Sequence, residues 1–199
     1  MRQHFPLALG AAIVASTLTI AAQAPTSSAP PKPQAPATQP KTAPTDMKAA
    51  MNPDSHFAME AAAGGMAEVE LGQLAADKAS NAKVKEFGQR MVTDHGKAGD
   101  ELKSIASAKN ITLPAEINAK QKGTKDRLSK LSGAAFDRAY MDEMVRDHQA
   151  DSAAFRKEAS TGKDAEIKAF ATKTSAMVDE HLKIARDIQK EVAGGKATQ

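Results

Sequence analysis

The sequence predicts an all-α fold, an up-down four-helix bundle with a short extra helix in the crossover between helices two and three. Strand-like alternation of apolar and polar residues is absent. After Pro53 the chain has a single proline, Pro114, so helices can run long. Four long stretches carry apolar residues at helical spacing, divided by short breakers. Composition agrees: the chain is 41% hydrophobic but only 4% aromatic, with one Tyr and no Trp. A core of Ala, Leu, Ile, Val and Met suits close-packed helices better than a sheet, which favours β-branched and aromatic residues.

The first residues precede the fold. Arg2 opens an apolar, Ala-rich run from Phe5 to Ala22, and Ala22-Gln23-Ala24 is a small-x-small cleavage pattern. Residues 1–24 therefore read as a secretory signal peptide. Pro25, directly after the cut, is awkward for a signal peptidase, and the run approaches the ~18 apolar residues of a span. An uncleaved N-terminal anchor is the alternative. Either way the rest of the chain is expected to be exported, periplasmic or envelope-associated. Residues 25–52 are rich in Pro, Ala and Thr, and eight of the ten prolines fall between Pro25 and Pro53. Such a segment buries too little apolar surface to fold, so it reads as a disordered linker tethering the domain to a membrane or envelope surface. The folded domain is expected over residues 54–193, with residues 194–199 as a tail.

The first helix is expected from Asp54, capped by Asp54 or Ser55, to about Ser80. Phe57, Ala61, Gly64, Glu68, Leu71 and Ala75 share its stripe, and Gly64-Gly65 offers a bend or room for a close neighbour. The second helix, capped by Ser80 or Asn81, carries Val84, Gly88, Met91, His95, Ala98, Leu102 and Ile105 and ends near Asn110. Ile111 to Pro114 is an extended connector, followed by a short polar helix over Ala115–Lys130. The next long helix, Ala134–Ser160, aligns Phe136, Tyr140, Met144, His148, Phe155 and Ala159, with Gly162 at its C-cap. The last, Asp164–Ala193, aligns Ile167, Phe170, Thr174, Met177, His181, Ile184 and Ile188. Short turns make each pair of long helices antiparallel, and the segment between the pairs is long enough to cross over.

One motif occurs three times: Met91-Val92-Thr93-Asp94-His95, Met144-Val145-Arg146-Asp147-His148 and Met177-Val178-Asp179-Glu180-His181. Each histidine continues its helix's apolar stripe four residues after a Met, so each is expected to face the interior. The first helix contributes Glu68 to the same layer. The resulting ligand set is Glu68, His95, His148 and His181, which suits one Zn, Fe or Cu ion by donor type. Glu70, Asp94, Asp147 and Glu180 would stand beside it and orient ring N–H groups. Met91, Met144 and Met177 could add thioethers to Cu(I), but methionine at such positions is ordinarily core. The competing reading is a buried polar layer in which acid-His pairs satisfy one another and only set helix register.

The chemistry excluded is broad. With no Cys there is neither a disulfide framework nor a thiolate. The net charge of +3 is spread over interspersed Lys without stacking aromatics, which argues against nucleic acid. No nucleophile triad or phosphate loop is visible, so an enzyme is not expected.

The run Phe57…Glu68-Val69-Glu70-Leu71-Gly72, the two Asp-His motifs, Phe136-Asp137-Arg138-Ala139-Tyr140 and His181-Leu182 together resemble an exported bacterial domain of unknown function, number 4142 in its series. That family is grouped with ferritin-like helical bundles and often labelled a membrane protein. The resemblance implies a ferritin-like architecture but no activity. Di-iron bundles use Glu-x-x-His, and here Val92, Val145 and Val178 stand three residues before the motif histidines, so no di-iron centre is expected. Two functions follow: an exported bundle binding a metal ion in envelope metal handling or stress protection, or a non-catalytic structural or interaction module of the envelope. Self-association into a homo-oligomer stays open.

Overall fold

The computed structural model describes residues 52–194. The signal peptide or anchor, residues 25–51 of the linker and residues 195–199 of the tail lie outside the described residues. Among the described residues the chain is all-helical: α1 (Pro53–Lys78), α2 (Ala82–Ala108), α3 (Ala119–Ser129), α4 (Gly133–Thr161) and α5 (Ala165–Ala193). No described helix is long and apolar enough to cross a membrane.

The caps explain the boundaries. The Asn52 side chain caps α1 with Pro53 in its first turn, two residues before Asp54 and three before Ser55, the caps expected. Asn81 accepts from Lys83 and Val84 N–H and starts α2. Asn118 and Gln121 form a reciprocal capping box, which delays α3 to Ala119. Asp164 caps α5. Asn110 takes a left-handed φ of 56° just beyond α2, a conformation Asn tolerates. Gly162 follows α4 without a left-handed φ; a Cβ there would sit 2.7 Å from the Glu158 carbonyl, so the glycine answers crowding.

α1 packs along α2, and α4 along α5; α2 also meets α5, α1 meets α4, and α3 touches α1 and α4. Two buried aspartates fix the relation between the hairpins. Asp137, near the start of α4, accepts from Ser80 N–H at 3.0 Å, Ser80 O–H at 2.5 Å and Asn81 N–H at 2.9 Å, holding the α1–α2 turn. Asp54, at the start of α1, accepts from Lys163 N–H at 2.9 Å and Asp164 N–H at 2.5 Å, holding the α4–α5 turn. Each hairpin thus clasps the other's turn, which makes α1 antiparallel to α4. Along α2 and α5, Lys83–Glu191 joins one end and Lys109–Asp164 the other, so these helices are antiparallel too.

The apolar interior falls into two clusters. One gathers Leu71, Val84, Phe87, Met91, Phe136, Tyr140, Met144 and Ile188; the other gathers Ala58, Leu102, Phe155, Phe170 and Val178. The expected stripes were right in direction and off by one position in places. Ala58 is buried while Phe57 is half-buried, and Val178 is buried while Met177 is half-buried. The close approach between helices is not at Gly64-Gly65, which face open space, but at Gly72 and Gly88. A Cβ on Gly72 would lie 2.6 Å from the Gly88 carbonyl oxygen, and one on Gly88 2.7 Å from that of Gly72.

The same substitution should therefore act oppositely at two sites. Gly88→Ala forces two backbones apart and should destabilise by about 1–2 kcal/mol net, overpacking outweighing the helix-propensity gain. Gly64→Ala meets nothing within 4 Å and should stabilise by about 0.5–1 kcal/mol. Urea denaturation midpoints of the two variants check this, and equal signs would contradict it.

Candidate metal centre

Between the two apolar clusters lies a polar layer. His95 from α2, His148 from α4 and His181 from α5 meet there, with ring centroids 5.6 Å apart for His95–His148, 5.3 Å for His95–His181 and 5.5 Å for His148–His181. All three are buried. One ligand nitrogen from each lies within 4.8 Å of the others. Bonds of about 2.0–2.1 Å in a tetrahedron would set nitrogens roughly 3.4 Å apart. Closing that gap takes side-chain adjustment of about an ångström, so the three histidines could hold a metal ion.

Each ring has one nitrogen engaged and one left over. His95 Nδ1 donates to Glu68 Oε2 at 2.8 Å. His148 Nδ1 donates to the Met144 carbonyl at 2.9 Å, one turn back on its own helix. His181 Nε2 donates to Asp94 Oδ2 at 3.1 Å, across from α5 to α2. These acceptors select the tautomers and leave lone pairs on His95 Nε2, His148 Nε2 and His181 Nδ1. Those three nitrogens are buried with no hydrogen-bond partner among the described residues. Burial, above all, keeps the rings neutral: it pushes His95 and His181 down to about 4 and lowers His148. Phe87 closes the layer on one side, its ring 6.2 Å from both His148 and His181.

The other expected residues scatter. Glu68 is buried, but its Oε2 serves His95 and its Oε1 lies 3.4 Å from His148 Nδ1, on the engaged side of both rings. Asp94 reaches His181. Asp147 is half-buried on a different face of α4, with its acid pushed up to about 6 by burial and by Glu143. Glu70 pairs with Lys125 at 2.7 Å, and Glu180 pairs with Arg90 at 2.9 Å on the surface; neither touches a ring. Glu180, one residue before His181, points about 100° round the helix to the surface, and Glu70, two residues past Glu68, points about 200° round α1; of the acids beside the histidines only Asp94 finds a neighbour's ring. Met91 and Met144 are core; Met177 is half-buried against the smaller apolar cluster.

Two residues beside the layer were not assigned to the site from the sequence: Asp151 was not read at all, and Tyr140 was read only as a core position. Asp151, one turn beyond His148, meets Glu68 carboxyl to carboxyl and is pushed up to about 8 by burial first and then by the Glu68 charge. Extending the i, i+3 spacing from His148 would have found it. Tyr140 is fully buried with its hydroxyl unpartnered, and burial with the Glu68 charge pushes its pKa strongly up, so the phenol stays protonated.

A family model described as Domain of unknown function (DUF4142) matches residues 37–188. No curated protein and no solved structure matches the chain. The match covers most of the chain, which belongs to that family.

The acid pair gives the metal-free protein a distinctive pH response. The folded state holds a proton on Asp151 that the unfolded chain releases near its ordinary 3.8, so this group's contribution is full at low pH and lost as pH rises to about 8. The histidines act oppositely: their folded values near 4 lie below the ordinary 6.5, so stability is lost as pH falls from 6.5 to about 4. Above pH 6.5 only the acid contribution varies. The melting temperature should decline between pH 6.5 and about 8, and Asp151→Asn, which keeps a donor toward Glu68, should flatten that decline. An unchanged slope in the variant would contradict the assignment.

Proposed function

We propose that this chain, a member of the DUF4142 family, is an exported ferritin-like four-helix bundle that binds one metal ion through His95, His148 and His181, in metal handling or stress protection at the cell envelope. The observation that carries this reading is the set of three buried ring nitrogens without partners, each on a ring whose other nitrogen is already held. A layer that served only helix register would pair its buried nitrogens. Rings oriented by a carboxylate or carbonyl on the far side are how proteins prepare imidazole ligands.

The architecture supports the bundle. The four long helices pair antiparallel with their neighbours, and the segment from residue 109 to 132, with α3 inside it, separates the hairpins. Neutral imidazoles suit Zn, Cu or Fe. When bound, such an ion would act as a Lewis acid or as cargo. The protein's own part is to hold three lone pairs in a dry interior, with Glu68 and Asp94 fixing two rings and Met144 the third. Glu68 is better placed to orient His95 than to complete the coordination. The second reading, a structural envelope module, draws on the same Glu68–His95 and Asp94–His181 bonds, which tie α1 to α2 and α2 to α5.

Elemental analysis and thermal scans of the full chain separate the two. The metal reading expects about one equivalent of Zn, Cu or Fe. It also expects added stability of about 2.7 kcal/mol at a hundredfold excess over Kd. His95→Gln, His148→Gln and His181→Gln together should abolish both while the protein still folds. A metal-free protein that gains no stability from any of these ions sinks the proposal. Asp94→Ala should weaken binding by about 10- to 100-fold through loss of His181 orientation, whereas Met91→Leu should leave affinity unchanged.

A further inference from the structure

The seam between α1 and α4 is open along a cleft of about 1010 Å³. Its walls include Phe57, Leu71 and Phe155, but its floor is acidic: Glu68 from α1 faces Asp147 and Asp151 from α4. The two aspartates are one turn apart and so share a face. Asp151 and Glu68 stand within hydrogen-bond reach of each other.

Like charges in contact require a bridge, either a proton or a cation. No lysine or arginine among the described residues pairs with Glu68, Asp147 or Asp151. Arg127 and Arg146 are committed to Glu143, and Lys125 to Glu70. Arg146 and, on the rim, Lys120 act on Asp147 through their charge without pairing with it. A second observation stands apart from the α4 acids. Glu68 has a side chain only 5% exposed, its Oε2 is taken by His95, and its Oε1 has no hydrogen-bond partner.

We propose that Glu68, Asp147 and Asp151 form a second cation site in this cleft, taking a hard divalent ion such as Mn, Mg or Ca and separate from the three histidines. The donors are all oxygen, which suits such ions and not the soft or borderline metals favoured by imidazole. The cleft is open, so water can supply the remaining positions of a six-coordinate ion. The unpartnered Nε2 atoms of His95 and His148 lie across their rings from the Nδ1 atoms nearest Glu68, so the two sites use different atoms. The site does not depend on the histidine layer binding anything.

Manganese titration of the full chain, followed by the electron paramagnetic resonance signal of free Mn, tests this. One Mn per chain is expected with Kd on the order of 10⁻⁴–10⁻³ M, the range of open carboxylate sites. Asp147→Asn with Asp151→Asn should weaken it by about tenfold or more while zinc uptake by the histidines is kept. His148→Gln with His181→Gln should keep manganese and lose zinc. Uptake equally weak in the unaltered chain and the aspartate variant overturns the proposal, as does manganese lost only with the histidines. Should the double aspartate variant not fold, manganese anomalous scattering from crystals of the unaltered chain decides. A peak in bonding contact with Glu68 Oε1 and Asp151 supports the site, and no peak there in manganese-soaked crystals overturns it.

Discussion

Glu68 places a carboxylate between two apolar clusters, where an unanswered charge is strongly unfavourable. His95 answers one oxygen, and that bond has consequences beyond its own energy. It locks α1 to α2 in one register, fixes the proton on His95 Nδ1 and turns the ring's lone pair to the far side. The other two rings follow the same logic with Met144 and Asp94 as acceptors. Because the layer divides the core, the packing on either side is built around it. Phe87 belongs to the larger apolar cluster and at the same time walls two of the rings.

The two seams of α1 show opposite solutions to helix contact. Toward α2, Gly72 and Gly88 remove side chains so that backbones approach to the limit of van der Waals contact. Toward α4, Glu68 meets Asp151 and the helices stay far enough apart to leave a cleft. One helix therefore has a closed face and an open face. The open face is where the meeting of buried acids opposes close packing. The reciprocal clasps of Asp54 and Asp137 hold the ends of that open seam together.

Much of this was legible before any coordinates. Helical periodicity located all four long helices to within a few residues and turned every motif histidine inward. It could not separate Met177 from Val178, since neighbours on a helix differ by only about 100° and both flank the same stripe. It misplaced the close contact at Gly64-Gly65, because whether a glycine faces a neighbour depends on the distance between helices, which a single helix's pattern does not hold. It assigned orienting roles to Asp147 and Glu180 by analogy among the three motifs. Which of them meets a ring is decided across helices: Asp94 finds His181, while Glu180 finds only Arg90. Asp151 went unread because its partner, Glu68, comes from the other hairpin.

The two clasps also reveal an internal repeat. Asp54 and Asp137 each precede, by fourteen residues, an acid that meets its counterpart across the seam: Glu68 in α1 and Asp151 in α4. At the clasps and at the facing acids, positions in α1 thus match positions in α4. His148 stands three residues before Asp151; the residue three before Glu68 is Gly65. Where one half places an imidazole, the other places no side chain at all. The offset that carries Asp54 onto Asp137 carries His95 of α2 onto Val178 of α5, one turn short of His181, so the histidine layer does not follow the repeat. An ion held by three protein ligands keeps a position for an exchangeable one. On the proposed metal-binding reading, three protein ligands would leave such a position open.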